Sequence, residues 1–381
     1  MDWRTIIGQV PLKKQLTELV KQNRLSHALL LIGKEGVGAL PLANAFAQYL
    51  VCEKAISSSL DEPCGQCPAC KKAIELVHPD IHFSYPTVTR KAGEKPVATD
   101  FIREWRDFLG QHPYGNLFDW IELIKEKDNS QGKITAEECN DIIRKLSLKS
   151  FESPWKILIL WHPELMGNEG NKLLKLIEEP PPQTILLLVS ESETNLLPTI
   201  VSRCQLIKVP PLENAVIEKA LIERNKTAPE LAQQIAALAE GSYREALLLS
   251  QHAEEDWQEL VRNWLNAILK TGPVAQAKWV EDIAKLGREK QKQFLRYYNH
   301  LLEQAVHVQT CGDALPISEK EKDFALRFNR IADLAKQEAM MKEIDSAIYH
   351  LERNANAKIL FHALTIKLYH IIQDNIVLLP E

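Results

Sequence analysis

An apolar run from Ala28 to Ile32 leads straight into Gly33-Lys34-Glu35-Gly36-Val37-Gly38-Ala39-Leu40, and a helical stretch continues to Val51. Strand, glycine-rich turn and helix in that order commit this part of the chain to an α/β layer with a phosphate loop in outline. A working loop of the form G-x-x-x-x-G-K-[ST] wraps backbone N–H groups around phosphates, then adds a Lys ammonium and a hydroxyl for Mg²⁺. Ala39 and Leu40 stand at those two positions and supply neither. Gly33, Gly36 and Gly38 are therefore read as a degenerate loop that binds no ATP productively. Lys34 is the loop's second residue and is expected to be a solvated charge.

A second element fails in the same way. Lys156 to Leu160 (KILIL) reads as a short buried strand, which in an ATPase of this kind ends in an Asp-Glu pair that holds Mg²⁺ and orients water. Trp161 and His162 occupy those places, and neither indole nor neutral imidazole offers the hard anionic oxygen that Mg²⁺ prefers. No hydrolysis is expected. His27 and His162, single histidines beside apolar strands, read as hydrogen-bonded structural residues.

At 381 residues and 45% hydrophobic content, the chain is long enough for two or three domains with real cores. No apolar run reaches the roughly 18 residues of a membrane helix, and Met1-Asp2-Trp3-Arg4 lacks the profile of a signal peptide, so a soluble cytoplasmic protein is expected. A formal charge of −5 argues against tight autonomous nucleic-acid binding and points to protein partners.

Four of the seven cysteines fall at Cys52, Cys64, Cys67 and Cys70, spaced C-x11-C-x2-C-x2-C. Short C-x2-C steps let one turn bring sulfurs together, with Gly65 and Pro68 allowing the tight path, and four thiolates match tetrahedral Zn²⁺. Such a site is structural, because it leaves no open position for substrate or water. Cys139, Cys204 and Cys311 are isolated and read as ordinary thiols.

Further along, Asn171-Lys172-Leu173-Leu174-Lys175-Leu176-Ile177-Glu178-Glu179-Pro180-Pro181 reads as a helix stopped by prolines, followed by an apolar strand at Thr184 to Val189 and then Ser202-Arg203-Cys204. Together with the empty loop, the four-cysteine module, His78-Pro79-Asp80 and Arg353-Asn354-Ala355-Asn356, these motifs closely resemble the δ′ family of the bacterial DNA polymerase III clamp loader. The resemblance implies an AAA+ protein, α/β with a RecA-like parallel sheet, a four-cysteine zinc module, a small helical lid and an all-α C-terminal collar. It implies a rigid, non-hydrolysing stator in a hetero-pentamer with ATPase motor subunits and a clamp-opening subunit, which loads the sliding clamp onto primed DNA. Arg203 matches the family's arginine finger, which reaches ATP held by the adjacent motor subunit. Arg244, in Gly241-Ser242-Tyr243-Arg244, resembles the second sensor of the superfamily and equally suits a lid-to-core salt bridge. The first sensor falls near Ser190 to Ser192.

Three domains are expected: residues 1–210 as the α/β core, with the zinc module at 52–70 and an insertion at about 87–133; residues 211–255 as the lid, with two or three short helices; and residues 256–381 as the collar. Helical spacing appears at Gln293 to Val306, Glu319 to Gln337, Met341 to Arg353 and 359–377. The insertion carries eight basic and eight acidic residues around Trp105, Phe108, Tyr114, Phe118 and Trp120. Aromatics at that density bury something, so an ordered helical element is expected, packed on the first domain or on a partner. Two other readings remain at this stage: an active AAA+ ATPase, opposed by Ala39, Leu40, Trp161 and His162, and a zinc-dependent nucleic-acid-binding module, opposed by the few basic residues beside the cysteines.

Overall fold

The computed structural model describes residues 2–58, 60–90, 93, 95–126, 131–251, 257–311, 319–352 and 355–373. Five segments pair as one parallel sheet: β1 (Ala28–Ile32), β2 (Ile81–Ser84), β3 (Lys156–Trp161), β4 (Thr184–Ser190) and β5 (Gln205–Lys208), in the order β2-β3-β4-β1-β5. The central strands are near-continuous apolar runs because both faces are covered. Leu29, Leu31, Ile157, Ile159, Trp161, Leu187 and Val189 join one core cluster, while Leu30, Leu158, Leu160, Leu186 and Leu188 join the other. That period-two alternation decides which face each residue at a strand end serves.

Around the sheet stand α1 (Val10–Lys21), α2 (Ala39–Val51), α3 (Glu53–Ser58), α4 (Pro68–Ile74), α5 (Ile102–Gln111), α6 (Leu117–Ile124), α7 (Ala136–Ser147), α8 (Leu174–Glu178) and α9 (Pro198–Val201). The helix expected from Asn171 is shorter than its pattern. Residues Pro163–Leu173 wind as 3₁₀ turns interrupted at Gly167 (φ 51°), and α-helical geometry is confined to α8. Three helices, α10 (Asn214–Asn225), α11 (Pro229–Leu238) and α12 (Tyr243–Gln251), form a separate small core with Ile7 and Tyr114. All of this belongs to one compact unit, residues 1–250.

The second unit, residues 251–381, contains α13 (Trp257–Asn266), α14 (Pro273–Ala284), α15 (Arg288–Cys311), α16 (Glu319–Phe328), α17 (Leu334–Glu352) and α18 (Ala357–Gln373). Its core is built on Trp264 and Trp279, stacked with ring centroids 4.6 Å apart, and on Phe294 and Phe361. The helical pattern over Glu319 to Gln337 is broken by a turn at residues 329–333. Gln337 Nε2 donates to Asn329 Oδ1 and to Ala332 O, and Asp333 Oδ1 accepts from Lys336 N, so polar caps override the periodicity there. Arg353, Asn354 and residues 374–377 lie outside the described residues. Among the described residues no helix is long and apolar enough to cross a membrane.

His78-Pro79-Asp80 has a structural task in the first unit. Asp80 is buried and accepts from the backbone N–H groups of Phe151 (2.5 Å), Glu152 (2.8 Å) and Ser153 (2.7 Å), which pins the turn that feeds β3. Burial pushes its carboxyl up, but the three N–H groups outweigh it and hold the group below its ordinary value. A depressed pKa means the stabilisation is complete above the usual Asp range and is lost as pH falls through the native value. Asp80→Asn is therefore expected to cost about 3 kcal/mol at neutral pH, because an amide turns a donor toward groups that need an acceptor. Urea unfolding at pH 7 and at pH 3 checks it: the gap between wild type and variant should narrow in acid.

Candidate functional site

The phosphate-loop outline joins β1 to α2. Gly33 N donates to Ser190 O at the end of β4 (3.1 Å), and Gly38, at φ 98°, sits at the N-terminus of α2. Ala39 and Leu40 are buried in the core, with no cationic or hydroxyl group to offer. Lys34 is exposed.

At the end of β3, strand parity sends Trp161 to the aromatic face, where it lies 5.3 Å from Trp105 and 5.8 Å from Phe108 between ring centroids. His162 follows in a left-handed conformation (φ 54°), buried, with Nδ1 2.7 Å from Glu164 Oε1. Burial opposes its protonation, yet Glu164 and Glu191 more than offset this and raise the imidazole pKa. Ser190, in the expected first-sensor segment, donates to Glu164 Oε2 (2.9 Å). An acidic side chain is thus present two residues beyond the usual pair, but it is engaged internally by His162 and Ser190. Spacing alone did not single out Glu164.

The cavity left at the loop is about 30 Å³, lined by Gly33, Gly36, Gly38, Tyr114, Trp161 and Glu191 among others. That volume suits a water or two. Tyr114 belongs to the segment at 87–133, and from the same segment Asn116 Nδ2 donates to Glu35 Oε2 of the loop (2.5 Å). Arg244, at the start of α12, is buried and forks onto Asp119, with Nε to Oδ2 at 2.6 Å and Nη2 to Oδ1 at 2.7 Å. Burial alone would raise the Asp119 pKa; Arg244 reverses this and holds it low. Of the two readings open for Arg244 the salt bridge is the one present, and its partner Asp119 lies in the segment at 87–133.

The insertion is helical and packed on the first unit, as its aromatics suggested. Trp105 stacks on Tyr85 (4.0 Å) and meets Trp120 edge-on (5.2 Å), and Trp120 Nε1 donates to Pro86 O (2.7 Å). Phe118 is the exception and remains exposed. Residues 91, 92, 94 and 127–130 of this segment lie outside the described residues.

The Sγ atoms of Cys52, Cys64, Cys67 and Cys70 all lie within 4.8 Å of one another, with no disulfide. A tetrahedral ion with arms of about 2.3 Å fits that spacing. Local structure builds the cluster: Cys52 caps the end of α2, Cys67 caps the start of α4, and Gly65 turns the chain at φ 70°. Five backbone N–H groups point at these sulfurs, from Ala55 and Cys64 to Cys52, from Gln66 and Cys67 to Cys64, and from Cys70 to Cys67. Such bonds favour thiolates. At Cys64 they overcome the upward push of burial and bring the thiol to about 6, whereas burial pushes Cys70 up. A cation of the zinc class would compensate that buried negative charge.

Arg203 lies just after α9, partly exposed. Its Nε and Nη2 each lie 2.5 Å from Glu178 Oε1, and Nη1 donates to Thr199 O (2.9 Å). The proline-terminated helix therefore delivers the carboxylate that holds this guanidinium, a pairing that neither motif signals by itself. Cys204 is half-buried, and burial pushes its thiol up to about 11. Cys139 is buried, and the side chain of Cys311 lies outside the described residues. His27 Nε2 is 2.8 Å from Ile177 O, a structural contact.

Residues 8–213 match the family described as DNA polymerase III, delta subunit. The DNA polymerase III subunit delta′ of Bacillus subtilis (strain 168) is 30% identical over 256 residues, which cover 67% of this chain and 63% of that protein. The DNA polymerase III subunit tau of the same organism is 25% identical over 309 residues, covering 78% of this chain and 46% of the relative. Those matches span less than two thirds of each relative's length. A solved DNA polymerase III, gamma subunit-related protein from Thermotoga maritima is 16% identical, with a TM-score of 0.37 and coverage of 93% of this chain and 98% of its own. That overlay is loose, and the assignment rests on the sequence matches. The family match covers more than half of the chain and includes the degenerate loop, the four cysteines and Arg203, so the chain belongs to the DNA polymerase III delta-subunit family as a delta′-like clamp-loader member.

Proposed function

We propose that the chain is a non-hydrolysing AAA+ stator of the replicative clamp loader and supplies Arg203 in trans to ATP on a neighbouring motor subunit. What carries the reading is the state of its own nucleotide loop: the Lys, the hydroxyl and the acidic pair are replaced, and the residual space is about 30 Å³. Arg203, in contrast, is accessible, and its bonds to Glu178 are of the kind a guanidinium readily exchanges for phosphate oxygens. Motor subunits and a clamp-opening subunit are the expected partners, with the sliding clamp and primed DNA met through the assembly. Residues 1–210, 211–255 and 256–381 serve as core, lid and collar, and Zn²⁺ is a structural cofactor on Cys52, Cys64, Cys67 and Cys70.

Titration of the isolated chain with Mg·ATP is the test. No saturable binding and no turnover are expected up to millimolar nucleotide. Micromolar affinity with Mg²⁺-dependent turnover would overturn the reading in favour of an active ATPase.

A further inference from the structure

We propose that residues 114–119 are an internal ligand of the degenerate phosphate loop, holding the lid helices α10–α12 on the sheet domain in one orientation without nucleotide. The proposal rests on the stator reading and gives the insertion a role within it.

Charge is the first support. Arg244 belongs to the lid and is buried, and Asp119 of α6 meets it through both carboxylate oxygens. A carboxylate offers a guanidinium two anionic acceptors for bidentate bonds, as two oxygens of a phosphate do. Arg244 Nη1 also lies 3.9 Å from Glu35 Oε1, so the same guanidinium faces the loop itself. Asn116 joins these groups by donating from Nδ2 to Glu35 Oε2 (2.5 Å).

Space is the second. A Cβ on Gly38 would lie 3.0 Å from Tyr114 Cε1, so this ring covers the N-terminus of α2 that a phosphate would approach. The Tyr114 hydroxyl accepts from Ile7 N (2.8 Å), and its ring meets Tyr243 of the lid edge-on at 5.1 Å. Lid and loop also touch directly. Tyr243 N donates to Gly36 O (3.0 Å), and a Cβ on Gly36 would collide with Ser242 Oγ at 2.0 Å.

Anchoring is the third. Asn116 and Asp119 form a capping box at the start of α6, with Asp119 N donating to Asn116 Oδ1 and Asn116 N to Asp119 Oδ2, so local helix formation places the carboxylate. Trp120, one residue on, is fully buried against Trp105 and Tyr85. The internal ligand is thus tied to the sheet face, and its effective concentration at the loop is set by the fold alone. A hinge bridged by a free nucleotide closes only when the nucleotide is present; this one is closed at all times.

Hydrogen–deuterium exchange of the full chain, read by mass spectrometry, tests the proposal. Asp119→Asn should speed exchange of the α12 amides about 100-fold while β1 and β4 stay protected, since one partner of a buried ion pair is lost. Arg244→Gln should do the same, and the double variant should be no faster than either single change. Asn116→Ala, which spares the ion pair, should speed the same amides about tenfold and serves if the charge variants fail to fold. Unchanged lid exchange in the folded variants, or equal loss of protection through sheet and lid, would overturn the latch and leave the stator reading intact. Mg·ATP should leave wild-type lid exchange unchanged; added protection would overturn the stator reading and, with it, an occupied loop.

Discussion

In a loader reconstituted with its motor and clamp-opening subunits, Arg203→Ala is expected to lower clamp- and DNA-stimulated ATP turnover at the neighbouring site by about 1000-fold, with assembly unchanged. That is the lower end of what an arginine finger contributes by stabilising charge on the transferring phosphoryl group. The starting geometry fits the role. Glu178 and Thr199 hold the guanidinium partly exposed beside α9, and a phosphate can take over from the carboxylate. Arg203→Lys should restore little, because an ammonium keeps the charge but loses the planar fork. The loss should fall on kcat at saturating ATP. Undiminished turnover by a fully assembled Arg203→Ala loader would reduce the chain to a scaffold.

Zinc removal is expected to be the larger structural effect. Wild-type protein should carry close to one zinc per chain, and Cys64→Ser with Cys67→Ser should carry none. Binding of structural zinc is worth roughly 10–16 kcal/mol in small zinc modules, so little of the local fold survives without it. Damage should not stop at the module. Ala69, Cys70, Ala73 and Leu76 belong to the same core cluster as Phe46 and Leu50 of α2, so loosening α4 exposes the helix that follows the phosphate loop. Metal analysis together with near-UV circular dichroism checks both claims, and a metal-free double variant as well folded as wild type would refute the site.

These two predictions were legible in the sequence to different degrees. The four cysteines needed only their spacing, because short C-x2-C steps bring sulfurs together through local turns. Arg203 was legible only through the resemblance, since a Ser-Arg-Cys tripeptide has no physical signature. Its partner Glu178 was visible as a residue but not as a partner, because the two lie 25 residues apart and meet only in the folded chain. The core strands were readable as apolar runs, while the helices at Pro163 to Glu178 and around residues 329–333 departed from their patterns where a glycine kink and polar caps took control.

The sequence by itself determined that Ala39 and Leu40 replace the loop's Lys and hydroxyl residue, the α/β alternation, the helical C-terminal part and the cysteine cluster. All of these follow from residue identity and short-range spacing. The insertion shows what sequence left open. Its aromatic density announced an ordered element. That Asp119 would face Arg244, 125 residues away, and that Tyr114 would cover Gly38 was decided by packing alone. Which partners meet depends on how Trp105, Trp120 and Trp161 seat α5 and α6 on the sheet, and burial of that kind is non-directional until the whole fold has closed around it.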